Sequence, residues 1–385
     1  MSERGWLNYR LTIALVVTLS VATIAVLREQ RPWILRPGAR LYAYVANTAD
    51  GTLTVADLAK LAPVETIAVG PTPSGVRANP KRDEIWGVST AGGYAWVVDA
   101  RAGRVAARIP VGGQPYALDF SPDGARAYVA ASGANAVAEI DCASRQIVAR
   151  GRAGRRPWIA RVTPDGKMLV VTNRDDSSVT LLDARTLAQI ATIPTVTQPE
   201  QIAILPDGTK AFISSGDSRR ISVVDLRKRA LVTNLELDGT ATDFVISRDG
   251  GELYIPSPDA HGLIIVSTWT NEVNDYVLAG SAPARAILSP DGQTLYVADA
   301  AANHVAALQI AFRQMQQHPV ATGQEPTTMA FTPVSGTLLA VDSGSDDLAV
   351  IRTTGCSQVQ GGSRDCLTTL IPVGHEPRDL AVKLF

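Results

Sequence analysis

Short apolar runs separated by turn residues fill the chain from residue 41 to its end. A typical unit contains a run such as Leu169–Thr172, then a polar loop, then a second run such as Val179–Asp183. Four such runs, rich in β-branched residues, recur in each stretch of about 42 residues. Beyond the N-terminal segment, apolar residues nowhere follow a helical period over ten or more positions. The pattern predicts short antiparallel strands in repeated groups of four.

A proline that opens an apolar run marks the repeat most clearly. The interval is 42 residues wherever the unit is uninterrupted, and Ala241 fills the one position where proline is missing. The prolines are Pro73, Pro115, Pro157, Pro199, Pro283, Pro326 and Pro377. A tight turn follows seven residues later in most units, as in Pro122-Asp123-Gly124. Proline presets φ, aspartate bonds its own backbone and glycine accepts positive φ, so the triplet joins two antiparallel strands.

Four short strands per repeat, with turns between them, are typical of a β-propeller blade. Residues 41–69 supply only second, third and fourth strands, while residues 372–385 supply only a first strand. Joined together, the two ends make one split blade and close the ring, which removes free strand edges. Seven complete units plus this split blade predict an all-β propeller of eight blades, with seven as the alternative.

The N-terminal 31 residues have a different character. Leu11–Leu27 is an uncharged apolar run of 17 residues, near the lower length limit for a membrane-spanning helix. A cleaved signal peptide is the alternative, but Thr23-Ile24-Ala25 is a poor cleavage site because Val26 and Leu27 continue the run. We therefore predict an anchor at residues 1–31, a linker at 32–40 and the propeller at 41–385.

Two features bear on which side of the membrane the propeller occupies. Four arginines follow the apolar run and two precede it, which by the positive-inside rule alone favours the cytoplasm. Cys356 and Cys366, however, flank a loop containing Gly361-Gly362 and can form a hairpin disulfide, a bond that persists in oxidising compartments. We expect the propeller in the periplasm or outside the cell. Cys142 is left without a partner and is expected to be a buried thiol.

Composition narrows the partners. The formal net charge is -1, so no overall field attracts nucleic acid or anionic lipid, and nucleic acid is not favoured as a partner. Hydrophobic residues make up 46% of the chain and charged residues 19%, which describes a folded, turn-rich protein rather than a disordered one.

The block GxxP, then SPDGxxxYV, then a polar loop and VxxID resembles the YVTN-type β-propeller family over residues 41–385. Val171-Thr172-Asn173 is the part most similar to the family signature, and most other units lack its asparagine. The resemblance implies an extracytoplasmic binding or surface protein more often than an enzyme. The eight-blade count is also similar to the haem-binding propeller of nitrite reductases and its biosynthetic relatives, a likeness of topology alone.

One loop face carries the predicted ligand residues. Antiparallel order places the loop before each first strand and the loop between second and third strands on one side of the ring, here called the first face. Guanidinium groups beside aromatic rings suit anionic, planar or sugar-phosphate ligands. The candidates are Arg155, Arg156, Trp158, Tyr116, Arg174, Glu200 and Arg378. The aspartates that end third strands, such as Asp141 and Asp183, are expected to bond backbone in turns instead.

Metal and catalytic chemistry are weaker predictions. His261, His304 and His375 fall on the first face, but no pair has close ligand spacing and no CxxCH motif is present. No cofactor is therefore predicted. Catalytic signatures are missing, although Glu200, Asp243, Arg285, His375 and Arg378 can supply a hydrolase-like set if they converge at the channel.

The sequence thus favours a non-catalytic, membrane-anchored platform for a protein, a polymer or an anionic ligand. The alternative is a propeller enzyme, either a lactonase-like hydrolase or a haem- or cofactor-dependent protein of redox chemistry or cofactor biosynthesis.

Overall fold

A computed structural model describes residues 38–385, apart from residues 217, 335, 354–356 and 359–363. The described strands include eight antiparallel blades, each with four strand positions, arranged in a ring. Six blades use consecutive strands of the chain, blade 7 has a small hairpin inserted before its outer strand, and in the eighth the C-terminal strand Pro377–Leu384 pairs with Leu41–Asn47. The predicted eight-bladed propeller is confirmed. A two-stranded hairpin, Ser357–Gln358 with Arg364–Asp365, is the only other sheet of the described part.

Blades 1 to 7 follow the chain and blade 8 joins its two ends. In that order, the inner strands are Pro73–Ala78, Pro115–Phe120, Pro157–Val162, Pro199–Ile204, Val245–Ile246, Pro283–Leu288, Pro326–Phe331 and Pro377–Leu384. The second strands are Glu84–Ser89, Arg126–Ala131, Met168–Asn173, Lys210–Ser215, Glu252–Ser257, Thr294–Asp299, Thr337–Asp342 and Leu41–Asn47. The third strands are Tyr94–Asp99, Ala136–Asp141, Ser178–Asp183, Arg220–Asp225, Gly262–Ser267, His304–Gln309, Asp347–Arg352 and Thr52–Asp57. The outer strands are Arg104–Pro110, Gln146–Arg152, Gln189–Pro194, Ala230–Glu236, Glu272–Leu278, the pair Gln314–Met315 and Val320–Ala321, Leu367–Pro372 and Ala62–Ala68.

Helix is confined, in the described residues, to three single 3₁₀ turns at Ser132–Ala134, Arg174–Asp176 and Ile310–Phe312. None of the helices described is long and apolar enough to cross a membrane. The predicted anchor, Leu11–Leu27, lies outside the described residues.

The core lies between neighbouring blades. Between blades 1 and 2, the fully buried side chains of Trp86, Val97, Leu118 and Val129 belong to one apolar cluster. Between blades 8 and 1, Trp96 packs in a separate apolar cluster with Tyr44 and Leu53, and Gly87 makes room for it, because a Cβ at that residue would lie 2.2 Å from the Trp96 ring. Strand side chains are therefore committed mainly to packing, and the loops and the inner strands remain for function.

The aspartates of the turns have the structural role predicted for them. Asp183 Oδ1 accepts hydrogen bonds from the backbone N–H groups of Arg185 and Thr186 at 3.1 and 2.8 Å. In the turn between inner and second strands of blade 2, Asp123 accepts from Ser121 Oγ and from the N–H of Ala125. These carboxylates are engaged with their own turns and form no ring of free acids.

Most inner strands bend near their opening proline. In blade 3, Pro157 pairs with Asn173 but Ala160 pairs with Val171, so three steps on the inner strand oppose two on its neighbour. Blades 2, 4, 6 and 7 show a register shift at the equivalent place. A bulge of this kind leaves a residue unpaired and changes the direction of the side chains beside it. Here it lies at the position from which side chains reach the central channel.

Candidate ligand site at the channel mouth

The first face is built as predicted from loops before the inner strands and loops after the second strands. In blade 3 the N–H of Arg174, after the second strand, donates to the carbonyl of Arg156, before the inner strand, at 3.1 Å. Each inner strand pairs on one side only, so its other edge faces the axis of the ring. Side chains at the start of the inner strands therefore surround the mouth of the channel.

An aromatic stack with a cation at one end occupies this mouth. The rings of Tyr116 and Trp158 lie 3.9 Å apart between centroids and 22° from parallel. The guanidinium of Arg174 lies 4.8 Å from the Trp158 ring, and that of Arg156 lies 5.9 Å from it. Arg174 also pairs with Glu200 of blade 4 at 2.7 Å. Four predicted residues from three blades are thus in direct contact.

Arg155 and Arg156 are each paired with an aspartate of the neighbouring loop. Arg155 pairs with Asp176, which also accepts from the Arg155 backbone N–H, and these hydrogen bonds lower the pKa of Asp176. Arg156 pairs with Asp175 at 3.6 Å. These two arginines hold the loops together at an exposed position and leave Arg174 as the guanidinium nearest the stack.

Trp158 has a structural share as well. It is half-buried and packs against the apolar cluster that includes Ile159, Val170 and Ile202. Tyr116 is more accessible, with 37% of its surface exposed. Burial raises the pKa of Tyr116, and the charges of Arg285, Glu200, Asp379 and Arg378 also act on that pKa.

Arg378, the remaining candidate, belongs to blade 8. Its side chain is exposed and pairs with Glu376 at 3.8 Å. It is not in contact with the aromatic stack but influences Tyr116 electrostatically, as Arg285 of blade 6 does. The mouth therefore combines one aromatic stack with cations from several blades.

Deeper in the channel lies a charged group that the sequence reasoning did not identify as a unit. We call it the axial cluster, and it consists of Arg77, Asp119, Arg161, Asp243, Arg285 and Asp379. Arg77 pairs with Asp379 at 3.8 Å, and Arg285 pairs with Asp243 at 3.3 Å. Burial raises the pKa of Asp243. Its sequence signal is a charged residue two or four positions after the opening residue of the repeat, a position that lies in the inner strand in each of these blades except blade 5.

The aspartates of the axial cluster connect neighbouring blades. Asp379 accepts from the N–H of Val76 at 2.7 Å, and Asp119 accepts from the N–H of Val162 at 3.0 Å. Asp243 accepts from the N–H of Ala286 at 3.3 Å. Each acceptor lies one blade before its donor, so these carboxylates help to close the ring.

The histidines lie apart from this cluster. His375 Nδ1 is 3.1 Å from Asp50, His304 Nε2 is 3.9 Å from Asp299, and His261 Nδ1 contacts the carbonyl of Ser281. Hydrogen bonding to Asp50 raises the pKa of His375. No group of three or more potential metal ligands occurs among the residues that the structure describes. Asp243 and Arg285 do meet, but His375, with 74% of its side chain exposed, does not join them.

The cysteines fall into two classes. Cys142 is a free, buried thiol whose pKa burial raises to about 12, so it is unreactive at neutral pH. Cys366 is disulfide-bonded. Cys356, its predicted partner, lies outside the described residues.

Comparison with known proteins identifies the fold but no family. No family model and no curated protein matches the chain, so membership of the YVTN-type family stays a prediction. Among solved structures, the chain is similar to dihydro-heme d1 dehydrogenase NirN in complex with DHE, with a TM-score of 0.70 at 14% identity over 88% of this chain and 74% of the other. It is also similar to Kuenenia stuttgartiensis hydrazine synthase, with a TM-score of 0.59 at 21% identity over 73% of this chain and 96% of the other. At these identities the likeness shows the propeller fold alone.

Proposed function

We propose that this protein is a non-catalytic binding propeller that captures an anionic ligand with a flat ring at the mouth of its channel. The observation that carries the proposal is the stack of Tyr116, Trp158 and Arg174, which places two aromatic rings and a guanidinium in one column. A planar ligand gains from stacking on such rings, and its acid groups gain from arginine forks.

Electrostatics at the mouth supports an acidic ligand. Arg285 and Arg378 act on Tyr116 from other blades, and Glu200 and Asp379 balance them in part, so an acid lying over Tyr116 has cations within reach on more than one side. The ion pair with Glu200 offsets part of the charge of Arg174. A ligand is therefore favoured when its acid groups extend beyond the aromatic stack to other arginines. Charge complementarity of this kind contributes to specificity and to the rate of capture.

Tryptophan fluorescence of the full chain tests the proposal. We would titrate the protein with protoporphyrin IX, flavin mononucleotide and dextran sulfate, and we expect saturable quenching by at least one of them. Trp158→Phe should remove most of the quenching, because Trp158 is the tryptophan stacked directly on Tyr116. Tyr116→Ala should weaken binding about tenfold, because a ring stacked on an aromatic side chain is worth about 1–3 kcal/mol. Trp269→Phe is the matched control, since Trp269 is 79% exposed and lies in a turn on the opposite face. Equal loss of quenching in the two tryptophan variants would refute the site.

A cofactor protein handling a tetrapyrrole is the second candidate, and one observation favours it. One similar solved structure is named a dihydro-heme d1 dehydrogenase, and the aromatic stack with surrounding arginines fits a flat ring that carries carboxylates. The three histidines described above are engaged at the periphery, so Tyr116, Trp158 and Arg174 would hold the ring by its face and its acids. We therefore expect metal-free protoporphyrin IX to bind within about threefold of haem. Haem bound a hundredfold more tightly would show that an iron ligand exists.

We also propose that the propeller is held at the outer side of the cytoplasmic membrane by residues 1–31. The apolar run Leu11–Leu27 supports the anchor, and the cysteine pair Cys356 and Cys366 supports an oxidising compartment. Separation of membranes from soluble protein, with and without residues 1–31, tests the anchor.

A further inference from the structure

Arg161 stands out in the axial cluster because its charge is not matched by a contact. Arg77 and Arg285 each pair with an aspartate. Nη1 of Arg161, by contrast, is buried and has no hydrogen-bond partner among the residues that the structure describes. Leaving a charged donor buried without a partner costs free energy, so such an atom usually has a partner or a function.

The surroundings of Arg161 place it on the axis of the ring. The charges that act on it come from Arg77, Asp119, Asp379 and Asp243, which belong to blades 1, 2, 8 and 5. Only the central channel brings those four blades close to blade 3. Burial lowers the pKa of Arg161, and the charge of Arg77 lowers it further.

The carboxylates nearby are already engaged. Asp119 accepts from the Val162 N–H, and Asp379 accepts from the Val76 N–H while pairing with Arg77. Asp243 pairs with Arg285 and accepts from the Ala286 N–H. None of the three forms an ion pair with Arg161. An anion that enters the channel would supply Nη1 with an acceptor while these bonds between blades stay in place.

Arg161 and Trp158 belong to the same inner strand. Arg161 follows Trp158 by three positions, and at about 3.3 Å per residue it lies up to about 10 Å deeper in the channel. The bulge between Pro157 and Ala160 changes the side-chain direction between them, so both can face the axis. The mouth and the axial cluster are thus two ends of one pathway along blade 3.

We propose that Arg161 binds an acid group, a carboxylate or a phosphate, of the ligand whose ring lies at Tyr116 and Trp158. This inference rests on the proposed function and adds a second binding point up to about 10 Å inside the channel. The shared chemistry is an oxyanion on a guanidinium fork. In the proposal this oxyanion is an acid group of the larger ligand. A free small anion is the alternative, and the test distinguishes the two.

The first arm of the test compares protoporphyrin IX with its dimethyl ester, which keeps the ring and lacks the acids. In the full chain we expect the acid to bind at least tenfold more tightly than the ester. Arg161→Met should reduce that ratio to about one. Arg161→Lys keeps the positive charge and should retain part of the ratio, and it allows the test to be made if the Met variant does not fold. Trp158→Phe should weaken acid and ester equally. A ratio unchanged in Arg161→Met, or abolished instead by the matched mouth variant Arg174→Met, would overturn the inference.

The second arm uses phosphate and acetate alone, with the melting temperature as readout. Saturable stabilisation of the wild type that is absent from Arg161→Met supports an oxyanion site at Arg161, even if neither porphyrin binds and the proposed function fails. Stabilisation equal in the two proteins, or no stabilisation in either together with no acid preference, overturns it. Stabilisation by the small anions, with protoporphyrin IX and its ester both bound and bound equally tightly, would identify a free anion as the occupant and would contradict the proposal as stated.

Discussion

Asp342 in blade 7 occupies a position at which blades 3 and 8 have asparagine. In blade 3, Asn173 Oδ1 accepts from the Gly154 N–H, and its Nδ2 donates to the hydroxyls of Ser178 and Thr180 at 3.1 and 2.9 Å. Asp342 Oδ2 likewise accepts from the Gly323 N–H at 2.9 Å. The residue opposite Asp342, however, is Asp347 rather than a serine. Replacing Asp342 with asparagine should restore a donor towards Asp347.

The pH dependence of this change follows from the burial of the pair. Burial, followed by the hydrogen bond with Asp347, raises the pKa of Asp342 from its ordinary value of 3.8 to about 8. The folded protein then holds a proton that the unfolded chain releases near its ordinary pKa, so stability falls as pH rises between about 4 and 8. The slope for one proton is about 1.4 kcal/mol per pH unit. Between pH 6 and pH 8 we expect a loss of about 2 kcal/mol in the wild type that Asp342→Asn does not show.

Urea unfolding of both proteins at pH 5, 6, 7 and 8 measures this difference. Other groups, including His375, titrate in both proteins and cancel when the two curves are subtracted. Asp207→Asn is the control, since Asp207 is an exposed turn aspartate whose pKa is lowered by hydrogen bonds from Thr209. If the free energies of unfolding of the wild type and Asp342→Asn changed in parallel with pH, Asp342 would not hold the extra proton in the folded protein. A variant less stable than the wild type at pH 8 would lead to the same conclusion.

Three further outcomes are expected. Deleting residues 377–385 removes the inner strand of blade 8 and the Asp379 bond to Val76, so unfolding free energy should fall by several kcal/mol; melting like that of the parent would contradict closure by the two ends. Gly87→Ala should cost about 1–3 kcal/mol in urea unfolding because its Cβ would overlap the Trp96 ring, whereas Gly113→Ala, with nothing nearer than 3.5 Å, is the control. Deleting residues 1–31 should give a soluble protein with almost no helix by circular dichroism, and a truncated protein that stays with membranes would refute the anchor.

The blade count could be predicted because its signals are local. Each opening proline and each turn triplet acts within about ten residues, and turn chemistry does not depend on the rest of the ring. The same locality explains the exceptions. Blade 5 has Ala241 where other blades have proline, and its inner strand is only Val245–Ile246. In blade 6 the outer strand is interrupted between Met315 and Val320, an irregularity for which the repeat gave no indication.

The site could be predicted only in part. Trp158 and Glu200 lie at the start of neighbouring inner strands and Arg174 follows a second strand, so their proximity follows from blade order. The axial cluster could not be found in this way, because Arg161 meets Asp243 and Asp379 only after the ring has closed and the inner strands have bent. Sequence spacing carries no information on distances across the channel. In the sequence, charged residues of the inner strands also cannot be distinguished from the usual alternation of polar and apolar residues along a strand until the number of blades is known.

The charged residues of the axial cluster serve both closure of the ring and, in our proposal, ligand binding. A carboxylate that accepts a backbone N–H from the next blade stabilises the ring only while it stays in place, as Asp119, Asp379 and Asp243 do. Fixing three acids in this way leaves the three axial arginines with two ion pairs among them, those of Arg77 and Arg285. The unmatched cation, Arg161, is then a consequence of how the ring closes. Because an anion that enters the channel would offset a further part of the cost of its burial, ligand binding and ring stability should be coupled, and acids that reach Arg161 should slow the opening of the propeller.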